Sequence, residues 1–226
     1  HNDTVILYFT YAVWSGMPVL PVTMLILLNL PVPMRLFISN DQFYNSVDTA
    51  HPFIVIFVTD LPMSFESFGN WLAPPMRRIP DMTFPRLNNH PVWLLPQLVN
   101  LMVIGFPKED GGTGWTVYPP LSMFYHSGIS MHLTCFSLHC AGCSSVFRTL
   151  NFITMISTLA LTHFPSNTTS LVVWSYMLAG IRLLLCVPVL LGAITMLLTD
   201  FDLNTSFFDP VSSYDPFLYL ASFSFI

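Results

Sequence analysis

The chain predicts an all-α fold: a polytopic membrane helix bundle with five transmembrane helices and the start of a sixth. Three observations carry that expectation. Of its 226 residues, 53% are hydrophobic and only 8% are charged, against about 25% charged in an ordinary soluble domain. The mean hydropathy is +0.62. Apolar runs of about 20 residues, the length that crosses a bilayer, recur between turns rich in Pro, Gly, Asn and Asp. So few charges cannot coat a water-facing surface, and lipid is the expected neighbour of the exterior. The net charge of −5 comes without any Lys/Arg run or stripe, so the chain lacks the footprint of a nucleic-acid partner.

The expected spans follow in order. The first covers residues 5–30 and the second residues 44–76, long and interrupted. The third covers 92–106, the fourth 131–161 and the fifth 171–198; a sixth begins near Phe217. Pro52, Pro62 and Pro188 fall inside spans. Membrane helices tolerate them because neighbours re-satisfy the freed backbone groups. Arg77, Arg78 and Arg86 follow the second span, whereas Arg35 and Lys108 lie in loops on the opposite side. The positive-inside bias puts Asp81 and Arg86 on the inner side. The start at His1 and the stop within an apolar run lead us to expect a piece of a longer protein.

Polar groups inside a span are costly and each needs a reason. His51 stands near the start of span two, and Asn70 follows 19 residues later, roughly 28 Å along a straight helix. Asp81 lies in the next loop. One span would then link a possible metal ligand near the outer face to a carboxylate at the inner face. Two readings of His51 stay open on residue type alone: a ligand, or a packed and hydrogen-bonded helix residue. Ser144, Ser145 and Asn151 form a second polar set in span four. Ser144 and Asn151 share a helix face; they either hold ordered water or bond helix to helix. Cys135, Cys140, Cys143 and Cys186 all sit in apolar segments, which argues against a disulfide framework. His139-Cys140-Ala141-Gly142-Cys143 offers nitrogen and sulfur ligands, but no second pair accompanies it.

Several longer strings carry a resemblance. They are Phe68-Gly69-Asn70-Trp71-Leu72, Pro80-Asp81-Met82-Thr83-Phe84-Pro85-Arg86, Gly112-Thr113-Gly114-Trp115, Phe136-Ser137-Leu138-His139 and Asn151-Phe152-Ile153-Thr154. Ile194-Thr195-Met196-Leu197-Leu198-Thr199-Asp200 and Phe207-Phe208-Asp209-Pro210 complete the set. In order and spacing they resemble subunit 1 of the haem–copper oxidases, the cytochrome c oxidase family, essentially from His1 to Tyr219. The resemblance implies a twelve-helix fold, of which residues 1–226 would be the N-terminal part of a single transmembrane domain.

It further implies that His51, in Thr49-Ala50-His51, is an axial ligand of haem a iron. Asp81 would be the mouth of a proton channel, with Asn70, Asn88, Ser144, Ser145, Asn151 and Tyr8 along it. The oxygen site, with haem a3 and copper B, would have its ligands beyond Ile226, so no catalytic residue is expected in this stretch. Implied partners are oxidase subunits 2 and 3, cytochrome c through the complex, and the bilayer. The implied location is the mitochondrial inner membrane, or alternatively a bacterial plasma membrane. The implied function is electron transfer from cytochrome c to oxygen with proton pumping. The alternative is a non-catalytic split-gene or decayed copy. The pattern departs from the family at several positions. Leu27 and Asn29 replace an Arg and an acidic residue, and Glu66-Ser67 a Gly-Gly pair. Arg77-Arg78 replaces an apolar–Gly pair, Pro52 replaces a small residue, and Asp60 and Arg182 are charges within spans. Each intramembrane charge costs ~3 kcal/mol on insertion scales.

Overall fold

The computed structural model describes residues 2–31, 38, 40–105, 112–125, 128–162, 169–209 and 215–224. Among them there are α-helices and π-helical turns and no strands. Helix α1 is Asn2–Asn29, α2 Asp41–Phe53, α3 Phe68–Met76, α4 Pro85–Gly105, α5 Ile129–Thr162, α6 Leu171–Asp202 and α7 Pro216–Ser224. Each expected span is helical over its described residues, except that the first helix stops at Asn29. Arg35 and Lys108, used above to argue orientation, lie outside the described residues.

The second span accounts for its own interruption. Helical backbone runs unbroken from α2 to α3, but Ile54–Asp60 and Pro62–Ser67 widen to π-helix. Pro52 and Pro62 remove two N–H donors, and the i→i+5 pattern absorbs the mismatch. The helix therefore continues past His51 instead of ending there. Asn40 caps the start: its side chain accepts from the Gln42 N–H at 3.0 Å.

Helix α5 lies between α4 and α6, and α1 packs across the second span and α4. The main core joins Phe53, Val58, Leu98, Met131, Leu138 and Leu197; a second cluster at the Asp81 end joins Phe65, Met82, Phe152, Met155 and Val173. Glycine permits two close approaches. A Cβ on Gly69 would come 2.7 Å from the Phe152 ring, and one on Gly142 would come 2.6 Å from Leu191. Small residues at helix crossings are how membrane bundles bring backbones together.

Two helices, Asp3–Asn29 and Leu171–Asp202, are long and apolar enough by length and composition to cross a membrane. The other spans carry more polar residues, of which Glu66, Asn70, Asn88, Ser144, Arg148 and Asn151 are buried. Outward, α1 exposes Trp14, Met17, Leu20, Met24 and Leu27, an apolar face too large for water contact. Asp60 and Arg182 are exposed on the outside of the bundle, whereas Glu66 is fully buried.

The C-terminal end of α3 shows why Arg77-Arg78 matters. The Arg78 N–H reaches the Pro75 carbonyl at 3.1 Å and the Ile79 N–H the Pro74 carbonyl at 3.0 Å. That is a Schellman cap, with Arg78 at φ 57 in the left-handed position that glycine prefers. Arg77 is buried and donates to the Thr169 hydroxyl at 2.9 Å and the Ile156 carbonyl at 2.8 Å, tying α3 to α5. Replacing Arg78→Gly should stabilise the fold by about 1 kcal/mol by removing the left-handed strain. A higher thermal midpoint of the detergent-solubilised protein would show it. A lower midpoint would mean that contacts of the Arg78 side chain outweigh the strain.

Candidate functional site

Five elements converge on one buried polar cluster. Tyr8 comes from α1, Glu66 from the π-widened turn before α3, and Asn70 from α3. Asn88 comes from α4, and Ser144 and Arg148 from α5. All are buried, Tyr8, Glu66 and Ser144 completely. Helical spacing puts Glu66 and Asn70 on one face, as it does Ser144 and Arg148.

The hydrogen bonds run in sequence. Asn70 Nδ2 donates to Asn88 Oδ1 at 3.1 Å, and the Tyr8 hydroxyl donates to the Asn88 carbonyl at 3.2 Å. The Ser144 hydroxyl donates to the Pro91 carbonyl at 3.2 Å and accepts from the Arg148 guanidinium. Arg148 pairs through its other terminal nitrogen with the Glu66 carboxylate. Its guanidinium carbon lies 6.0 Å from the centre of the Tyr8 ring. Among the described residues Asn70 Oδ1 is a buried acceptor with no hydrogen-bond partner.

The remaining expected residues divide. Asn151 is fully buried, and its amide is committed to the backbone of one residue, Phe84. It accepts from the Phe84 N–H at 3.0 Å and donates to the Phe84 carbonyl at 3.1 Å. It thereby pins the 81–84 loop, in which the Asp81 carboxylate accepts from the Met82 N–H at 2.7 Å. Ser145 donates to the Ala141 carbonyl of its own helix at 2.6 Å and does not join the cluster. His51 lies on the other side of the π turns, in α2. Its Nε2 is 2.7 Å from the Thr23 hydroxyl of α1. The sequence reading named Glu66 only as a departure and missed Arg148. The available signal was two opposite charges in adjoining spans, each implausible alone.

His51 is half-buried at the α1/α2 seam; Leu20, Met24 and Leu27, near Thr23 in the sequence of α1, are exposed. An imidazole is a nitrogen donor of the kind that would hold a haem iron, once Nε2 parts from the Thr23 hydroxyl. The apolar cavity of about 290 Å³ lined by Phe53, Phe57, Trp115, Tyr118, Leu138 and Leu190 opens elsewhere and is not lined by His51. Among the described residues no three His, Cys, Asp or Glu side chains gather as a metal-ligand set. His139 has Nδ1 2.8 Å from the Cys135 carbonyl and Nε2 3.0 Å from the Thr195 hydroxyl, so it ties α5 to α6.

The ion pair generates a stability prediction. Arg148→Met alone leaves a buried carboxylate without its cation and should cost about 3–5 kcal/mol, whereas Arg148→Met with Glu66→Met should be near neutral. Thermal midpoints of the three proteins in detergent would decide. Equal losses in the single and double variants would mean that the two charges act separately.

Residues 3–226 match the protein-family model described as Cytochrome C and Quinol oxidase polypeptide I. A protein named cytochrome c oxidase subunit 1 from Mytilus edulis is 39% identical over 227 residues, covering 100% of this chain and 41% of the relative. The protein of the same name from Pecten maximus is 37% identical over 228 residues, covering 100% of this chain and 48% of the relative. The chain thus spans less than half the length of these curated relatives.

Proposed function

The chain belongs to the cytochrome c and quinol oxidase polypeptide I family, and from that membership we propose that it forms part of the catalytic subunit of a proton-pumping terminal oxidase. The observation that carries the reading is the family match over nearly the whole chain, together with relatives named cytochrome c oxidase subunit 1. Members of this family are membrane proteins that carry haem and copper and work in a complex with other oxidase subunits. Residues 1–226 are read as one portion of a single transmembrane domain.

In this reading His51 holds haem a, whose iron takes up and passes on single electrons when bound. The ring would supply one nitrogen, and the Thr23 hydroxyl, which is bonded to Nε2 at 2.7 Å, holds the ring at the α1/α2 seam. Asp81 is the proposed mouth for protons on the inner side, since a carboxylate exchanges protons with water. Tyr8, Asn70, Asn88 and Ser144 form the polar route inward. Asn151 acts by holding the Asp81 loop against α5, and Ser145 completes the polar stretch of that helix. Haem a3 and copper B belong to the rest of the subunit. The proposed electron donor is cytochrome c, and the proposed neighbours are subunits 2 and 3. Because both named relatives are animal proteins, the proposed location is the mitochondrial inner membrane.

The test is spectroscopic. In the assembled oxidase, His51→Ala should abolish the low-spin haem absorption, while His139→Ala should retain it. A normal low-spin spectrum in the His51 variant would reject the ligand assignment.

A further inference from the structure

We propose that Glu66 and Arg148 form a plug across the polar route leading from Asp81 past Asn88 and Asn70 to Ser144, and that this plug slows proton movement along it. The existence of the route rests on the oxidase reading above; the pair itself does not.

Three observations point the same way. The first is charge. A guanidinium keeps its proton under all ordinary conditions. Arg148 touches Ser144 and faces the Tyr8 ring, so a fixed cation stands where the polar groups of α1, α4 and α5 meet. An arginine lining a narrow pore repels cations and excess protons. The Glu66 carboxylate neutralises the pair as a whole, but the guanidinium is the group in contact with the route.

The second is hydrogen bonding. A hydroxyl relays a proton by accepting on one side and releasing on the other. The Ser144 hydroxyl gives its only proton to the Pro91 carbonyl and accepts from Arg148. The Tyr8 hydroxyl gives its proton to the Asn88 carbonyl. Both donors end on backbone oxygens, which pass nothing on.

The third is space. Glu66 and Arg148 are 0% and 4% exposed, so two long side chains fill the room between α5 and the second span. Around that room stand Asn70, Asn88, Tyr8 and Ser144. Asn70 Oδ1 already lacks a partner. A polar room of this kind takes up water once it is opened, and water completes the relay.

The test uses the complete oxidase complex in lipid vesicles. Proton uptake is followed during turnover and as passive flux under an imposed pH gradient. Glu66→Ala with Arg148→Ala opens the room without leaving an unpaired charge. Glu66→Ser with Arg148→Ser opens it with polar groups and carries the same expectation should the alanine pair fail to assemble. Uptake and passive flux should both rise about tenfold on removal of the electrostatic and steric barrier. Adding Asp81→Asn should abolish the rise. Unchanged rates, a rise that survives Asp81→Asn, or slower uptake that would make Glu66 a carrier would each overturn the plug. Haem absorption of the unsubstituted complex reads the oxidase assignment separately. Its absence would sink that assignment, while the passive flux would still decide on the plug.

Discussion

Burying a charge in a membrane bundle is the constraint around which the rest of this structure is arranged. Removing either ion from water costs several kcal/mol, and only a close partner with further hydrogen bonds offsets it. Glu66 and Arg148 meet inside the bundle, and Ser144 supplies an additional bond. The pair requires the second span and α5 to approach at one register. Gly69 allows this by letting Phe152 of α5 lie against the backbone of α3. Arg77 ties α3 to α5 again one end further on, through the Ile156 carbonyl. Asn151 fixes the loop between α3 and α4 onto the same helix. Helix α5 is thus the spine to which the neighbouring elements are fastened by polar contacts, with apolar side chains filling between them.

The helices were legible in the sequence because their signal is local. Apolar runs between Pro, Gly and Asn turns mark spans whatever lies beside them, and the predicted run 171–198 became Leu171–Asp202. The interruption of span two was legible from Pro52 and Pro62. Its form was not: whether a proline ends, kinks or widens a helix depends on what packs against it. The cluster was half legible. The resemblance places Tyr8, Asn70, Asn88 and Ser144 together, and they meet; of the strings that carry it, Phe68–Leu72 includes Asn70. Asn151 and Ser145 were named with them, yet their hydrogen bonds go to the Phe84 backbone and to α5 itself. The pairing of Glu66 with Arg148 was out of reach. A charge read alone in an apolar run looks like a defect, and only the packing of two spans turns two defects into one ion pair.

Asp60 and Arg182 give the contrast. They too are charges within spans, but they lie on the outside of the bundle. Their cost falls on whatever surrounds the bundle, so the core does not depend on them. His51 lies between these extremes, half-buried and bonded to Thr23. It orders the α1/α2 seam, with Nε2 beside the Thr23 hydroxyl. The polar residues therefore separate by depth: the outermost are exposed, the seam holds an imidazole bonded to Thr23, and the centre holds a neutralised pair.

The most direct measurement of the central claim is a high-resolution electron-microscopy map of the assembled complex in lipid. The account predicts continuous side-chain density from Glu66 through the guanidinium of Arg148 to Ser144, with no file of waters passing between Asn70 and Ser144. A parted pair with ordered waters running between its members would contradict it.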